Sequence, residues 1–313
     1  MTERRLVFGP WTVACTPEDG GRLTSLRHGG TDLLTGAPTA FRPPAADHGR
    51  YEMRPVHGYD DCFPSVDACA WPEGGWQVPD HGELCWLPAE VTQPAPDRLE
   101  FAFASRALPV RFVRAMRFGA SELEWAFRVE NRGDRPLAFL HVMHALLPVG
   151  RVTIHRLPRF ASCVDEVSGL AAACRQPEEV AGLLRGVRGA ARMLLLRGVE
   201  EGRVVLALDG ADGRPASRRR LTVLFPAALF PTLGIWWNAG GYPDEDGRRR
   251  EECAFEPLSG PRSSLAACRS AGGTVLSAPA GGAVEWTILW RVESEETAER
   301  NDGTKERKWP GCS

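Results

Sequence analysis

The chain has 313 residues, 43% hydrophobic and 25% charged, with a formal net charge of -2. That near-neutral balance gives no electrostatic reason to expect nucleic acid or an anionic membrane as partner and points to small-molecule chemistry. The length suffices for one large all-β domain; no apolar run reaches membrane-spanning length, and Arg4, Arg5 and Gly9-Pro10 stand where an export signal would be apolar, so a cytoplasmic monomer or homodimer is expected.

Along the chain, short apolar-alternating runs at 6–8, 11–14 and 22–26 are separated by Gly20-Gly21 and Gly29-Gly30, a hairpin signature. From 35 to 79 proline, glycine and aspartate dominate and periodicity is lost, as in long segments that carry function on a rigid scaffold. Leu99, Phe101 and Phe103 then alternate with smaller or polar neighbours; Phe112, Met116 and Phe118 share a parity, as do Leu123, Trp125, Phe127 and Val129. These runs predict an antiparallel meander. A turn at Asn131-Arg132-Gly133-Asp134 leads to 137–144, read as one strand buried on both faces. Further strands are expected at 193–196, 203–208, 221–225, 233–237 and 283–291, and a short helix at 177–185. From 293 to 313 the chain is charged and poor in large apolar residues, so a disordered tail is expected after a single domain spanning 1–292.

Nine cysteines cannot all pair within one chain and no CxxC occurs, so buried thiols are expected rather than a disulfide framework. With 33 Gly, 25 Pro and ten Trp, many short strands can be joined by turns, and aromatic surface is available to line a cleft.

Three sites carry chemistry. Glu256 sits in Phe255-Glu256-Pro257-Leu258-Ser259-Gly260-Pro261, where the prolines fix φ and hold a carboxylate at a strand end, the best candidate for a base. His81 lies in Asp80-His81-Gly82-Glu83; the glycine permits close backbone approach, and Asp80 or Glu83 can orient the ring. In His141-Val142-Met143-His144 the odd spacing sends the two rings to opposite faces of an extended strand. His144, at the strand end, is the cleft residue and His141 a hydrogen-bonded core residue; the divergence argues against a two-histidine metal pair.

Together these residues resemble the aldose 1-epimerase (galactose mutarotase) superfamily, in particular its less characterised aldose epimerase members. Gly20-Gly21-Arg22-Leu23-Thr24-Ser25-Leu26 resembles the N-terminal Gly-Gly-basic strand, Asp80-His81-Gly82-Glu83-Leu84 the first histidine motif, and His144-Ala145-Leu146-Leu147 the second. Leu233-Gly234-Ile235-Trp236-Trp237-Asn238 resembles the strand with an aromatic near the sugar, and Phe255 to Leu265 the Glu-Pro-x-x-Gly region. The resemblance implies an all-β β-supersandwich with a concave sugar cleft. It also implies Glu256 as base toward the anomeric hydroxyl, His144 as acid toward the ring oxygen, and His81 as a hydrogen-bond partner, with no metal or cofactor. An arginine expected after the first His-Gly and an upstream Asn-Arg pair are replaced by Cys85 and by Tyr59-Asp60-Asp61-Cys62. Arg54, Asp60, Asp61 and Trp86 are the candidate replacements for substrate contacts, beside Trp236 and Asn238; the acidic pair would suit a neutral or cationic sugar better than a sugar phosphate. The competing readings are an isomerase, lyase or cyclase acting on a modified sugar or secondary metabolite, and a non-catalytic carbohydrate-binding module. A metal hydrolase built on Asp61, His81, Glu83 and His144, or a thiol nucleophile at Cys62 or Cys85, ranks below these.

Overall fold

A computed structural model describes residues 2–37, 51, 54, 56–171, 173–214, 217–243 and 247–294. Among the named strands every pairing is antiparallel. An eight-stranded sheet runs in the spatial order Val152–Arg156, Arg203–Leu208, Arg219–Leu224, Ala283–Ser294, Glu122–Asn131, Val110–Phe118, Arg98–Ala104, Glu90–Ala95. Its inward face is the alternating set read from the sequence: Phe101, Phe103, Phe112, Met116, Trp125 and Phe127 are all buried. Trp286, Ile288 and Trp290 of the last strand join them, with Phe127 paired to Trp286 and Trp125 to Ile288. Each such side chain contributes about 1.5–3 kcal/mol by leaving water, which fixes the register because a one-residue slip would turn the whole set outward.

Two six-stranded sheets complete the sandwich. One holds Arg4–Phe8, Trp11–Thr16, Arg22–His28, Thr31–Asp32, Tyr59–Cys62 and Val142–Ala145; the other holds Leu147–Pro148, Arg249–Leu258, Thr232–Pro243, Ala190–Arg197, Ser162–Asp165 and Leu170–Ala171. They meet where Val142–Ala145 lies beside Arg249–Leu258, and the chain passes from one sheet to the other between Ala145 and Leu147.

The run 137–144, expected as one strand, is two. Leu137–Phe139 pairs with Leu276–Ala278, whereas Val142–Ala145 pairs with Tyr59–Cys62. The change of partner falls at Leu140, whose N–H is taken by the carbonyl of Pro64 at 2.8 Å. The strands Glu90–Ala95 and Val152–Arg156 were not foreseen. They are the two edges of the large sheet, mostly exposed, and the first contains Pro94, so neither carries an apolar alternation. The helix Pro177–Arg185 starts with proline and a Gln176–Glu179 capping box and buries Val180, Ala181 and Leu184. A second helix, Leu265–Ser270, is capped by the Ser264 hydroxyl, which accepts from the Ala267 N–H.

Glu293 and Ser294 close the strand Ala283–Ser294, and the rest of the expected tail lies outside the described residues. Eight cysteines are buried free thiols. Among the described residues no helix is long and apolar enough to cross a membrane.

Candidate active site

The strands Tyr59–Cys62 and Val142–Ala145 are paired with Asp60 opposite His144, Asp61 opposite Met143 and Cys62 opposite Val142. Alternation puts Asp60 and Cys62 on one face and Tyr59 and Asp61 on the other. Toward the core, the Asp61 carboxylate accepts from Tyr59 at 2.6 Å, pairs with His141 Nε2 at 3.0 Å and bonds to Arg114. His141 is packed there among the rings of Phe112, Phe127 and Trp286. On the opposite face, His144 Nδ1 lies 3.0 Å from Asp60 Oδ1 and 3.0 Å from the Tyr51 hydroxyl, which donates to Asp60 Oδ2 at 3.1 Å.

Asp60 belongs to a buried network of two carboxylates and two guanidinium groups. Asp19 accepts from Arg22 at 2.7 Å and from Arg54 at 2.5 Å, and both arginines approach Asp60 Oδ2 at 3.4 Å. Burial alone would raise the Asp60 pKa; Arg22, the His144 bond and Arg54 outweigh it and hold the carboxyl well below the usual range. The same network explains the Gly20-Gly21-Arg22 motif. A Cβ on Gly20, at φ +63°, would lie 2.6 Å from backbone atoms of Cys85, so glycine lets Arg22 enter beneath the loop that carries His81.

That loop is tightly specified. His81 has φ +61°, and its N–H donates to Val66 O at 2.6 Å. Gly82 N–H reaches Pro79 O at 2.9 Å and Glu83 N–H reaches Phe63 O at 2.8 Å. A Cβ at Gly82 would fall 1.9 Å from Phe63 O, so no other residue fits there. The backbone conformation of His81, uncommon for a residue with a side chain, costs of order 1 kcal/mol and aims the ring into the cavity. Its Nδ1 lies 3.2 Å from Asp80 Oδ1, while Tyr51 stacks on the ring at 3.6 Å. Glu83, the other expected orienting group, points away and is taken by Ser105 and the Arg106 N–H. Burial opposes protonation of His81, but Asp80, with Asp60 and Glu256 further off, outweighs it and raises the pKa; in His144 burial prevails over Asp60 and lowers it.

Glu256 lies within the strand Arg249–Leu258 rather than at a free end, opposite Gly234 of Thr232–Pro243. Cross-strand partners share a face, so Glu256, Met193 and Trp236 look the same way. A Cβ on Gly234 would sit 3.4 Å from Glu256 Oε2, so the glycine clears room for the carboxylate. Among the described residues nothing hydrogen-bonds that carboxylate, and burial pushes its pKa up to about 7, His81 being the group that lowers it.

The three groups line one cavity of about 650 Å³, together with Tyr51, Asp80, Met193, Trp236, Tyr242 and Arg250. Of the expected substrate-contact residues, Trp236 lines the cavity and the others do not. Asp61 points to the opposite face of its strand. Asp60 stands behind His144. Arg54 is fully buried, stacked between Tyr51 and Trp86, and Trp86 packs behind it. Asn238 accepts from the N–H groups of Gly241 and Tyr242 and donates to Glu252 at 2.9 Å, so it shapes the turn that presents Tyr242. Tyr51, Met193, Tyr242 and Arg250 were not singled out in the sequence. Met193 and Arg250 share the parity of Glu256 on the paired strands, a signal that needs the register; Tyr51, in an irregular segment, offered none.

Cys62, His81 and His144 form the metal-capable group among the described residues, their ligand atoms within 4.8 Å of one another. Burial raises the Cys62 thiol far above its usual pKa, which disfavours the thiolate that a metal would need there.

The architecture can be set against solved structures. The Slr1438 protein of Synechocystis sp. PCC 6803 is 18% identical with a TM-score of 0.68, covering 94% of this chain and 96% of that one. A galactose mutarotase-like protein of Lactobacillus casei is 16% identical with a TM-score of 0.61, covering 93% of this chain and 100% of that one. A galactose 1-epimerase of Lactobacillus acidophilus is 13% identical with a TM-score of 0.59, covering 93% and 94% respectively. The fold is galactose mutarotase-like. No protein-family model matches the chain, and no curated protein matches it.

Proposed function

We propose that the protein is an aldose 1-epimerase-like enzyme that interconverts the anomers of a free or modified monosaccharide. The observation that carries this reading is the convergence of Glu256, His81 and His144 on one cavity, with the Glu256 carboxyl brought to about 7 by burial. Ring opening needs a base for the anomeric O–H and a donor of a proton to the ring oxygen; closure on the other face reverses both transfers. Glu256 takes the anomeric proton and an imidazole supplies the other, His144 in the principal assignment, with His81 holding the opened chain. Burial raises the Glu256 carboxyl to about 7, where a base can both take and return a proton near neutral pH, and lowers His144, which favours release of its proton to the ring oxygen. Trp236, in edge contact with Tyr242 at 5.4 Å, offers aromatic surface for a sugar face.

A second reading keeps the cavity but changes the substrate: an isomerase or lyase acting on a sugar with an apolar substituent. It is favoured by the mouth of the cavity, where Val167 and Tyr242 are 53% and 48% exposed. Polarimetry of freshly dissolved α-glucose, α-galactose and other aldoses tests the main reading. Acceleration over the buffer rate for at least one aldose is expected. If every common aldose mutarotates at the buffer rate while alkyl- or aryl-substituted sugars are converted, the second reading replaces it.

A further inference from the structure

Asp60, expected as a substrate ligand, does not reach the cavity, yet it is the most firmly held carboxylate near it. Its side chain is 1% exposed and lies between Arg22 and Arg54, each 3.4 Å away. A carboxylate fixed by two guanidinium groups is ionised and acts only as acceptor. Its Oδ1 faces His144 Nδ1 at 3.0 Å, and the Tyr51 hydroxyl, 3.0 Å from the same nitrogen, donates to Oδ2. With the tyrosine proton directed to Asp60, both oxygens near Nδ1 accept, so Nδ1 must carry the ring proton. In the neutral ring Nε2 is then left as a lone pair.

We infer that Asp60 is a positioning residue: with the Tyr51 hydroxyl it locks His144 in the Nδ1–H tautomer and holds the charge in place when Nε2 takes up a proton. The role extends the acid–base reading above and rests on it for its catalytic meaning, although the tautomer does not. In the cycle, Nε2 gives its proton to the ring oxygen as the ring opens and takes it back from the same oxygen on closure, while Glu256 exchanges the anomeric proton; Nδ1–H stays bonded to Asp60, and the Asp60 carboxylate never changes protonation. Asp60 thereby makes a ring that burial keeps neutral able to become cationic for the moment of transfer.

His144 faces Asp60 and Cys62 from the neighbouring strand, Tyr51 and His81 from the loops, and Glu256 and Arg250 from the adjoining sheet. Asp60 faces Arg22, Arg54 and Tyr51, with Asp19 behind the arginines. Of these, only Asp60 and Tyr51 touch Nδ1.

The test is long-range ¹⁵N–¹H correlation on histidine-labelled protein at pH 8, which reads the tautomer without any substrate. The wild-type His144 ring is expected with Nδ1 protonated and Nε2 bare. In Asp60→Asn the amide donates to Nδ1 and moves the proton to Nε2, and turnover falls by about 10²–10⁴-fold with little change in KM. Asp60→Glu restores the Nδ1–H form and part of the rate. Should Asp60→Asn fail to fold because two buried arginines lose their partner, Tyr51→Phe decides: the carboxylate alone keeps the Nδ1–H tautomer. A wild-type ring protonated on Nε2, or a tautomer that flips in Tyr51→Phe, overturns the assignment. A correct tautomer in a protein that accelerates no mutarotation leaves the Asp60–His144 pair standing and removes the proposed reaction instead.

Discussion

The two faces of the Tyr59–Cys62 and Val142–Ala145 strand pair carry nearly the same chemistry. Each has an aspartate bonded to a histidine, a tyrosine hydroxyl and arginine: Asp61 with His141, Tyr59 and Arg114 on one side, Asp60 with His144, Tyr51, Arg22 and Arg54 on the other. Residue type therefore does not distinguish structure from site. Access does. His141 is closed in by Phe112, Phe127 and Trp286, whereas His144 lies at the wall of a cavity that also receives Glu256 and His81. The core-side group is sealed among aromatic rings, where His141 Nδ1 has no partner among the described residues and no ligand can reach it; on the cavity side the second imidazole nitrogen of His144 belongs to a ring that lines open space.

The comparison breaks most sharply at Glu256 and the two histidines. Glu256→Gln removes the group able to accept the anomeric proton while keeping shape, and a loss of about 10²–10⁴-fold in turnover is expected. His144→Gln should fall by a similar factor. His141→Gln, one strand face away, should lose stability and keep its rate per folded molecule. Progress curves by polarimetry, corrected for folded fraction by circular dichroism, separate the two. If the two histidine variants lose turnover equally, the face distinction is wrong.

A smaller but still large effect is expected in stability. Asp61→Asn leaves Arg114, fully buried, without its ion-pair partner, at a cost of about 3–5 kcal/mol. A urea midpoint lowered to match, with catalysis per folded molecule preserved, would confirm that Asp61 holds up the fold alone. A fall in KM-corrected rate at unchanged stability would return it to the substrate.

The strands of the large sheet were legible because their large apolar side chains keep one parity, and Leu123 to Val129 alternate residue by residue, although Phe112 to Met116 are buried throughout. Glu256, His81 and His144 were legible because local chemistry marks them: proline frames, a glycine that must be glycine, and odd histidine spacing. Their supporting shell was not. Asp60 and Asp61 differ only in strand parity, and which parity faces the cavity depends on the pairing to Val142–Ala145, a contact between segments some eighty residues apart. The run 137–144 misled for a related reason. Uniform apolarity shows that a segment is buried and is silent about where it changes partner. Trp86 and Arg54 looked like ligand groups because aromatic and cationic side chains bind sugars, yet here they stack on one another behind Tyr51.

The smallest of these effects tests the electrostatic half of the comparison. Glu256 is raised from 4.5 to about 7 by burial, with no cation bonded to it as arginines are to Asp60. A carboxyl whose folded pKa lies above its unfolded value favours folding fully below about 4.5, and that contribution is lost as pH rises through about 7. The shift corresponds to about 3 kcal/mol at pH 8. A neutral amide at this position carries no such penalty, so Glu256→Gln should be the more stable protein at pH 8 and lose the advantage by pH 5, even as it loses turnover. Asp60, with its pKa depressed, works in the opposite sense, supplying stability above about 3.8 that disappears only as pH falls further. Denaturant midpoints of wild type and variant across pH 5 to 8 read the difference directly. Parallel curves would mean that the Glu256 carboxyl is solvated and of ordinary acidity, and the turnover of the wild type should then fail to rise through pH 7 as the acid–base scheme demands.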